Sequence, residues 1–107
     1  MFIKSAMTKK TLKLLEEITG GSLSLGELIK SIRLSAEFTQ VDFAKQLKIS
    51  KQHLCDIEHN RKAVSSKLAA EYALKLGYSP KQFIRLALQD ELNRAGLPFE
   101  IEIKKAV

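Results

Sequence analysis

Apolar residues recur at helical spacing along most of this chain and switch to strict alternation only near its end. Leu12, Leu15 and Ile18 hold a helical period that Gly20-Gly21 closes. Ser24-Leu25-Gly26-Glu27 has the form of a capping box, and Leu25, Leu28, Ile29 and Ile32 continue it on one helical face. Thr39 is the expected N-cap of a short helix through Phe43, Ala44 and Leu47, with Asp42 in the first turn where the helix dipole favours an acid. Ser50 caps a second short helix directly after it. The stripe Leu68, Ala69, Tyr72, Ala73 and Leu76 marks the next helix, which Gly77 stops. Ser79-Pro80-Lys81-Gln82 reads as another capping box with proline at the first helical position. Phe83, Ile84, Ala87, Leu88 and Leu92 carry that last helix to Gly96 and Pro98. Phe99-Glu100-Ile101-Glu102-Ile103-Lys104 then alternates apolar and charged residues, the mark of a half-buried strand. The pattern predicts an all-α chain with one short C-terminal β-strand.

The two short helices, Gln40 to Leu47 and the one after Ser50, are separated by a very tight break. The second turns Leu54 and Ile57 inward and Lys51, Gln52, His53 and Asp56 outward. A buried helix followed at once by one with a polar outer face is how a helix-turn-helix places side chains in the major groove. Glutamine can pair bidentately with adenine N6/N7, lysine can donate to guanine O6/N7, and aspartate can accept from cytosine N4. His53 lies beside them, within reach of base or phosphate.

Charge sharpens that reading. Of the 18 basic residues, nine lie between Lys45 and Arg85, a span with three acids, so the whole net charge of +6 falls on this segment. A localised basic face is the footprint of a phosphate-backbone binder. Arg61 and Lys62, just past the outward-facing helix, are the expected phosphate clamps. At 107 residues the chain supports one core, and no apolar run approaches the roughly 18 residues needed to span a bilayer. The N-terminal MFIKSAM is too polar for a signal peptide, which points to the cytoplasm, and the lone Cys55 fits that compartment. No metal site is expected: His53 and His59 do not share a helix face, and Cys55 has no second thiol. No cofactor is implied either. Neither a nucleophile with a placed base, nor paired carboxylates, nor a glycine-rich phosphate loop is present, so an enzyme is not expected.

From about Leu25 to Leu88 the chain resembles the XRE-type, or lambda-repressor-like, helix-turn-helix family. The resemblance rests on Ile32-Arg33, Thr39-Gln40-Val41-Asp42-Phe43-Ala44, Leu47-Lys48-Ile49-Ser50, Leu54-Cys55-Asp56-Ile57-Glu58 and Arg61. It implies a five-helix DNA-binding domain. In it Gln40 contacts the DNA backbone, Ser50 caps the recognition helix, and Lys51, Gln52 and Asp56 read base edges. It also implies that Arg33 and Glu58 form a structural ion pair between the first helix and the end of the recognition helix. Asn60 departs from the glycine common at its position in the family. A left-handed conformation is wanted there, and asparagine is the next most tolerant residue.

The expected organisation is an N-terminal helical extension over 1–21, the helix-turn-helix domain over 22–96 and a C-terminal strand over 97–107. A strand in a helical chain must find a partner. Phe2-Ile3 is one candidate, and the same strand of a second copy is the favoured one, with Phe99, Ile101 and Ile103 as dimerisation residues. Two-fold pairing would suit a palindromic operator in double-stranded DNA. Small XRE-type proteins with such a tail resemble the HigA-like and HipB-like antitoxins of bacterial toxin–antitoxin pairs, which repress their own operon and bind a toxin protein. A cytoplasmic, nucleoid-associated repressor with that role is the expectation. A stand-alone or phage-type regulator is the alternative, and a protein-interaction module without DNA binding stands third.

Overall fold

The computed structural model describes residues 23–106. Within them the chain is all-helical: α1 (Leu25–Ser35), α2 (Gln40–Leu47), α3 (Lys51–Glu58), α4 (Ser66–Leu76) and α5 (Pro80–Arg94). The helix expected through Leu12, Leu15 and Ile18 lies outside the described residues. The local starts follow from hydroxyl caps. Ser24 Oγ accepts the Glu27 N–H at 3.1 Å while Glu27 returns to the Ser24 N–H at 3.4 Å, completing a capping box. Thr39 Oγ1 accepts from Asp42 N at 3.1 Å and Ser50 Oγ from His53 N at 3.0 Å. Ser65 caps α4 in the same way, through Leu68 N at 3.2 Å. The box expected at Ser79 is not made, because the Ser79 side chain forms no capping bond. Ser79 stands at ψ 123°, whereas the four capping residues stand at ψ 156–163°.

Packing is one continuous core. α4 and α5 form the most extensive pair, α2 packs on α4, α1 on α5, and α3 is held between α1 and α2. Leu28, Ile29, Phe43, Leu47, Leu54, Ala69, Ala73, Leu76 and Phe83 are fully buried, and Ala44 and Ile57 nearly so. Phe38 covers Phe43 with ring centroids 5.8 Å apart, and Tyr78 covers Phe83 at 5.9 Å. Two sequence expectations shift here. Leu68 stands at the solvent edge rather than in the α4 stripe, which is Ala69, Tyr72, Ala73 and Leu76. On α5 the buried set is Phe83, Leu86 and Ala87, with Ile84, Leu88 and Leu92 half-buried.

α1 and α3 meet at Gly26. A Cβ built there would overlap the Ile57 carbonyl oxygen and fall 2.8 Å from Asn60 Oδ1. Only glycine allows that approach, so the capping-box residue that looked incidental in sequence sets how closely α3 docks.

The strand expected over Phe99 to Lys104 is not formed among the described residues. The alternation is there, but a ladder needs a neighbouring backbone, and the side-chain amide of Gln89 on α5 takes that place. Gln89 Nε2 donates to the Phe99 carbonyl at 2.8 Å, and Gln89 Oε1 accepts from Ile101 N at 2.8 Å. These are the two groups that a parallel strand would engage around Glu100.

Candidate nucleic-acid interface

Left-handed residues bracket α3 on both sides. Lys48 closes α2 at φ 59°, with the Ile49 N–H donating to the Ala44 carbonyl at 3.0 Å, and this makes the turn between α2 and α3 short enough to hold the two helices together. Asn60 follows α3 at φ 60°. The turn it makes lets the Arg61 N–H reach the Asp56 carbonyl at 2.8 Å and the Lys62 N–H reach the same oxygen at 3.2 Å.

The inner side of α3 is anchored by Leu54, Ile57 and Glu58, all buried. Glu58 receives Arg33 through two parallel bonds, Nε to Oε2 at 2.8 Å and Nη2 to Oε1 at 3.0 Å, with side-chain exposures of 11% for Arg33 and 0% for Glu58. Arg33 Nη1 also donates to the Phe38 carbonyl at 3.0 Å, and Gln40 Nε2 donates to Glu58 Oε1 at 3.1 Å. Each side-chain nitrogen of Arg33 and each carboxylate oxygen of Glu58 therefore has at least one partner, the condition under which a buried pair is tolerated. Gln40 begins α2 half-buried, and its amide is turned to Glu58 rather than held free at the surface.

Lys51 and Gln52 are exposed on the outer side, while His53 and Asp56 are half-buried. Ser50 is exposed at the N-cap. The outward groups are not independent. Asp56 Oδ1 accepts from Gln52 Nε2 at 3.0 Å, from Arg61 Nε at 3.1 Å and from Arg61 Nη2 at 3.0 Å. The Arg61 guanidinium beside Asp56 holds its carboxyl below the ordinary carboxylate range, with Gln52 adding to the effect, and Asp56 in turn raises Arg61. Arg61 also reaches Cys55 Sγ at 3.4 Å, and His59 Nδ1 lies 2.8 Å from the Cys55 carbonyl. A carbonyl only accepts, so Nδ1 carries the proton of that ring. These links joining Gln52, Asp56 and Arg61 had one sequence signal, the four-residue spacing of Gln52 and Asp56. The return of Arg61 needs the Asn60 turn.

The basic segment is partly spent on the fold. Lys75 Nζ donates to the Leu47 carbonyl at the end of α2, 3.2 Å away, and lies 6.0 Å over the Tyr72 ring. Lys45, Lys48, Lys51, Lys62, Lys67 and Lys81 remain exposed. Of the tail residues, Phe99 is exposed at 64%, and Ile101 and Ile103 are half-buried. Gln89 links the backbone of this segment to α5. Among the described residues no group of three or more His, Cys, Asp or Glu is placed to hold a metal ion, and no helix is long and apolar enough to cross a membrane.

A helix-turn-helix family model matches residues 29–83, just over half of the 107-residue chain. No curated protein and no solved structure matches it.

Proposed function

We propose, from the premise that the chain belongs to the XRE-type helix-turn-helix family of DNA-binding regulators, that it is a sequence-specific transcriptional repressor acting as a homodimer on a palindromic operator. The observation that carries the reading is the two-sidedness of α3. Leu54, Ile57 and Glu58 fix it to the core, while Lys51, Gln52, His53 and Asp56 face outward and Arg61 and Lys62 follow at its end. A rigidly held helix with donor and acceptor tips suits base readout in the major groove. Lys51 and Gln52 would read base edges, Arg61 and Lys62 would hold phosphates, and Ser50 and Gln40 would lie at helix N-termini where a phosphate is stabilised. DNA as partner puts the protein in the cytoplasm, at the nucleoid.

The finer role we infer is that of an antitoxin which represses its own operon and binds a toxin protein. Support comes from the exposed apolar residues beyond α5, Leu97 at 46% and Phe99 at 64%, on a tail that the DNA-reading helix does not use. In mobility-shift titrations Gln52→Ala should change the preferred base pair and weaken the specific complex by about 1–3 kcal/mol. Unchanged affinity and preference would place the reading helix elsewhere. Co-purification of a second protein from the native cell, lost when Phe99 to Val107 are removed, tests the antitoxin role. A repressor that binds its operator and brings down no protein is a stand-alone regulator.

A further inference from the structure

Gln52 is a reader whose hands are partly tied. Its amide points at Asp56 Oδ1 from 3.0 Å, and the same oxygen takes Arg61 Nε at 3.1 Å and Nη2 at 3.0 Å. An ionised carboxylate only accepts, so the carboxamide must face it nitrogen first. Arg61 also favours the ionised form of Asp56. The arrangement is braced from the backbone as well, since the Asp56 carbonyl receives the Arg61 N–H at 2.8 Å and thereby brings that guanidinium back over the helix.

A glutamine amide has two N–H donors and one acceptor oxygen. With one donor engaged by Asp56, the edge left for a base carries one donor and one acceptor. Adenine shows the complement of that edge in the major groove, an N7 acceptor and an N6 donor. Guanine shows two acceptors, N7 and O6, and needs two donors. An unheld glutamine could turn both N–H groups to guanine. Held by Asp56, Gln52 cannot.

We propose that Asp56 is a specificity-determining residue that acts through Gln52, making it a reader of adenine over guanine, with Arg61 keeping Asp56 in place. This rests on the reading of α3 as the DNA-contacting helix. It also accounts for an acid on a surface otherwise suited to phosphate: repulsion from the DNA backbone is accepted in exchange for a fixed amide.

The test is selection of a randomised double-stranded DNA pool on the full-length protein and on Gln52→Ala, Asp56→Ala and Asp56→Asn, with the bound fractions sequenced. Loss of preference in Gln52→Ala marks the base pair concerned. At that pair the wild type should favour adenine over guanine by about tenfold or more, the range of a bidentate contact. Asp56→Ala should admit guanine to within about threefold at the same pair, and should bind unselected duplex more tightly, because an acid has left the surface. Asp56→Asn keeps an oxygen acceptor without the ion pair and should fall between.

A wild-type adenine preference that survives Asp56→Ala overturns the inference, as does a wild-type preference for guanine at that pair. A change at a different base pair would mean that Asp56 touches a base itself. Uniform weakening on every sequence would make its role structural. Both outcomes also overturn the inference. If Gln52→Ala selects the same sequences as the wild type, or the wild type retains no duplex, the DNA-reading assignment of α3 fails first and the inference falls with it.

Discussion

Two arginine–carboxylate–glutamine clusters grip α3, and they differ in little except where they lie. Arg33, Glu58 and Gln40 meet on its inner side; Arg61, Asp56 and Gln52 meet on its outer side. Asp56 and Glu58 are two residues apart, which turns them about 200° from each other around the helix. The inner carboxylate has no exposed side-chain surface and its arginine has 11%, whereas the outer pair stands at 29% and 53%. The same chemistry therefore does opposite work. Buried, the charges have no alternative partner and the cluster fixes the helix. Exposed, the bonds compete with water and salt and hold little stability, so the outer cluster orients the Gln52 amide without fixing the fold.

The contrast breaks most visibly at the carboxylates. Glu58→Ala leaves Arg33 buried without its partner and should lower unfolding stability by about 3–5 kcal/mol. Asp56→Ala should change stability far less, because its partners are exposed and screened by solvent. Denaturant unfolding of both variants measures this, and similar losses would erase the distinction.

The next effect is on DNA rather than on folding. If two outer clusters work as a linked pair in a dimer, deleting Phe99 to Val107 should give a folded monomer. Its specific operator binding should fall by on the order of a hundredfold, with non-specific binding far less affected. Sedimentation, circular dichroism and titration of an operator duplex read the three properties. A truncated protein that remains dimeric moves the interface to α5, where Leu88 and Leu92 are half-buried.

A smaller change sharpens the contrast between the two arginines. Arg61→Ala should weaken all duplexes, lower the salt dependence of binding by about one ion and, by releasing Asp56, loosen the preference only at the Gln52 base pair, with folding nearly intact. Titrations at several salt concentrations decide it. A loss confined to one sequence would make Arg61 a base reader.

The smallest effect concerns acid. Asp90 accepts the Leu25 N–H at 2.9 Å at the start of α1, and burial pushes its carboxyl above the ordinary value of 3.8. Its protonated form is thus favoured by the fold, and that contribution is lost as pH rises from 3.8 through the raised value. Asp56 runs the other way: its lowered carboxyl contributes above the ordinary value and loses that contribution as pH falls through the folded one. Asp90→Asn keeps an acceptor for Leu25 and should flatten the Asp90 slope, changing stability at neutral pH by less than about 1 kcal/mol. Unfolding across the acid range shows whether the slope goes.

What was legible in the sequence was what is decided within a few residues. The caps at Ser24, Thr39 and Ser50 depend on neighbours in the chain and could be read directly, whereas the left-handed stop at Asn60 came with the family resemblance. Ser65 is equally local and was missed, because its helix was recognised by its apolar stripe and not by its start. The contact of Arg33 with Glu58, 25 residues away, has no local signature, and only the family resemblance suggested it. The Arg61–Asp56 pair requires knowing that the chain doubles back at Asn60. The tail shows the limit most plainly. Alternation at Phe99 to Lys104 describes how side chains could be shared between two faces, but whether a strand exists depends on what backbone lies beside it. Here a side-chain amide does.

Gly26 has a consequence for anyone who approaches this protein by genetics. Every missense change at its codon adds at least one carbon atom where the Ile57 carbonyl leaves no room, and the displaced element would be α3. A screen for mutants that lose DNA binding would therefore collect alleles at a residue, and on a helix, that touch no duplex in the proposed reading. Their phenotype would imitate loss of a contact. Mapped without the fold in mind, such alleles would draw the DNA-binding surface on the wrong side of the molecule.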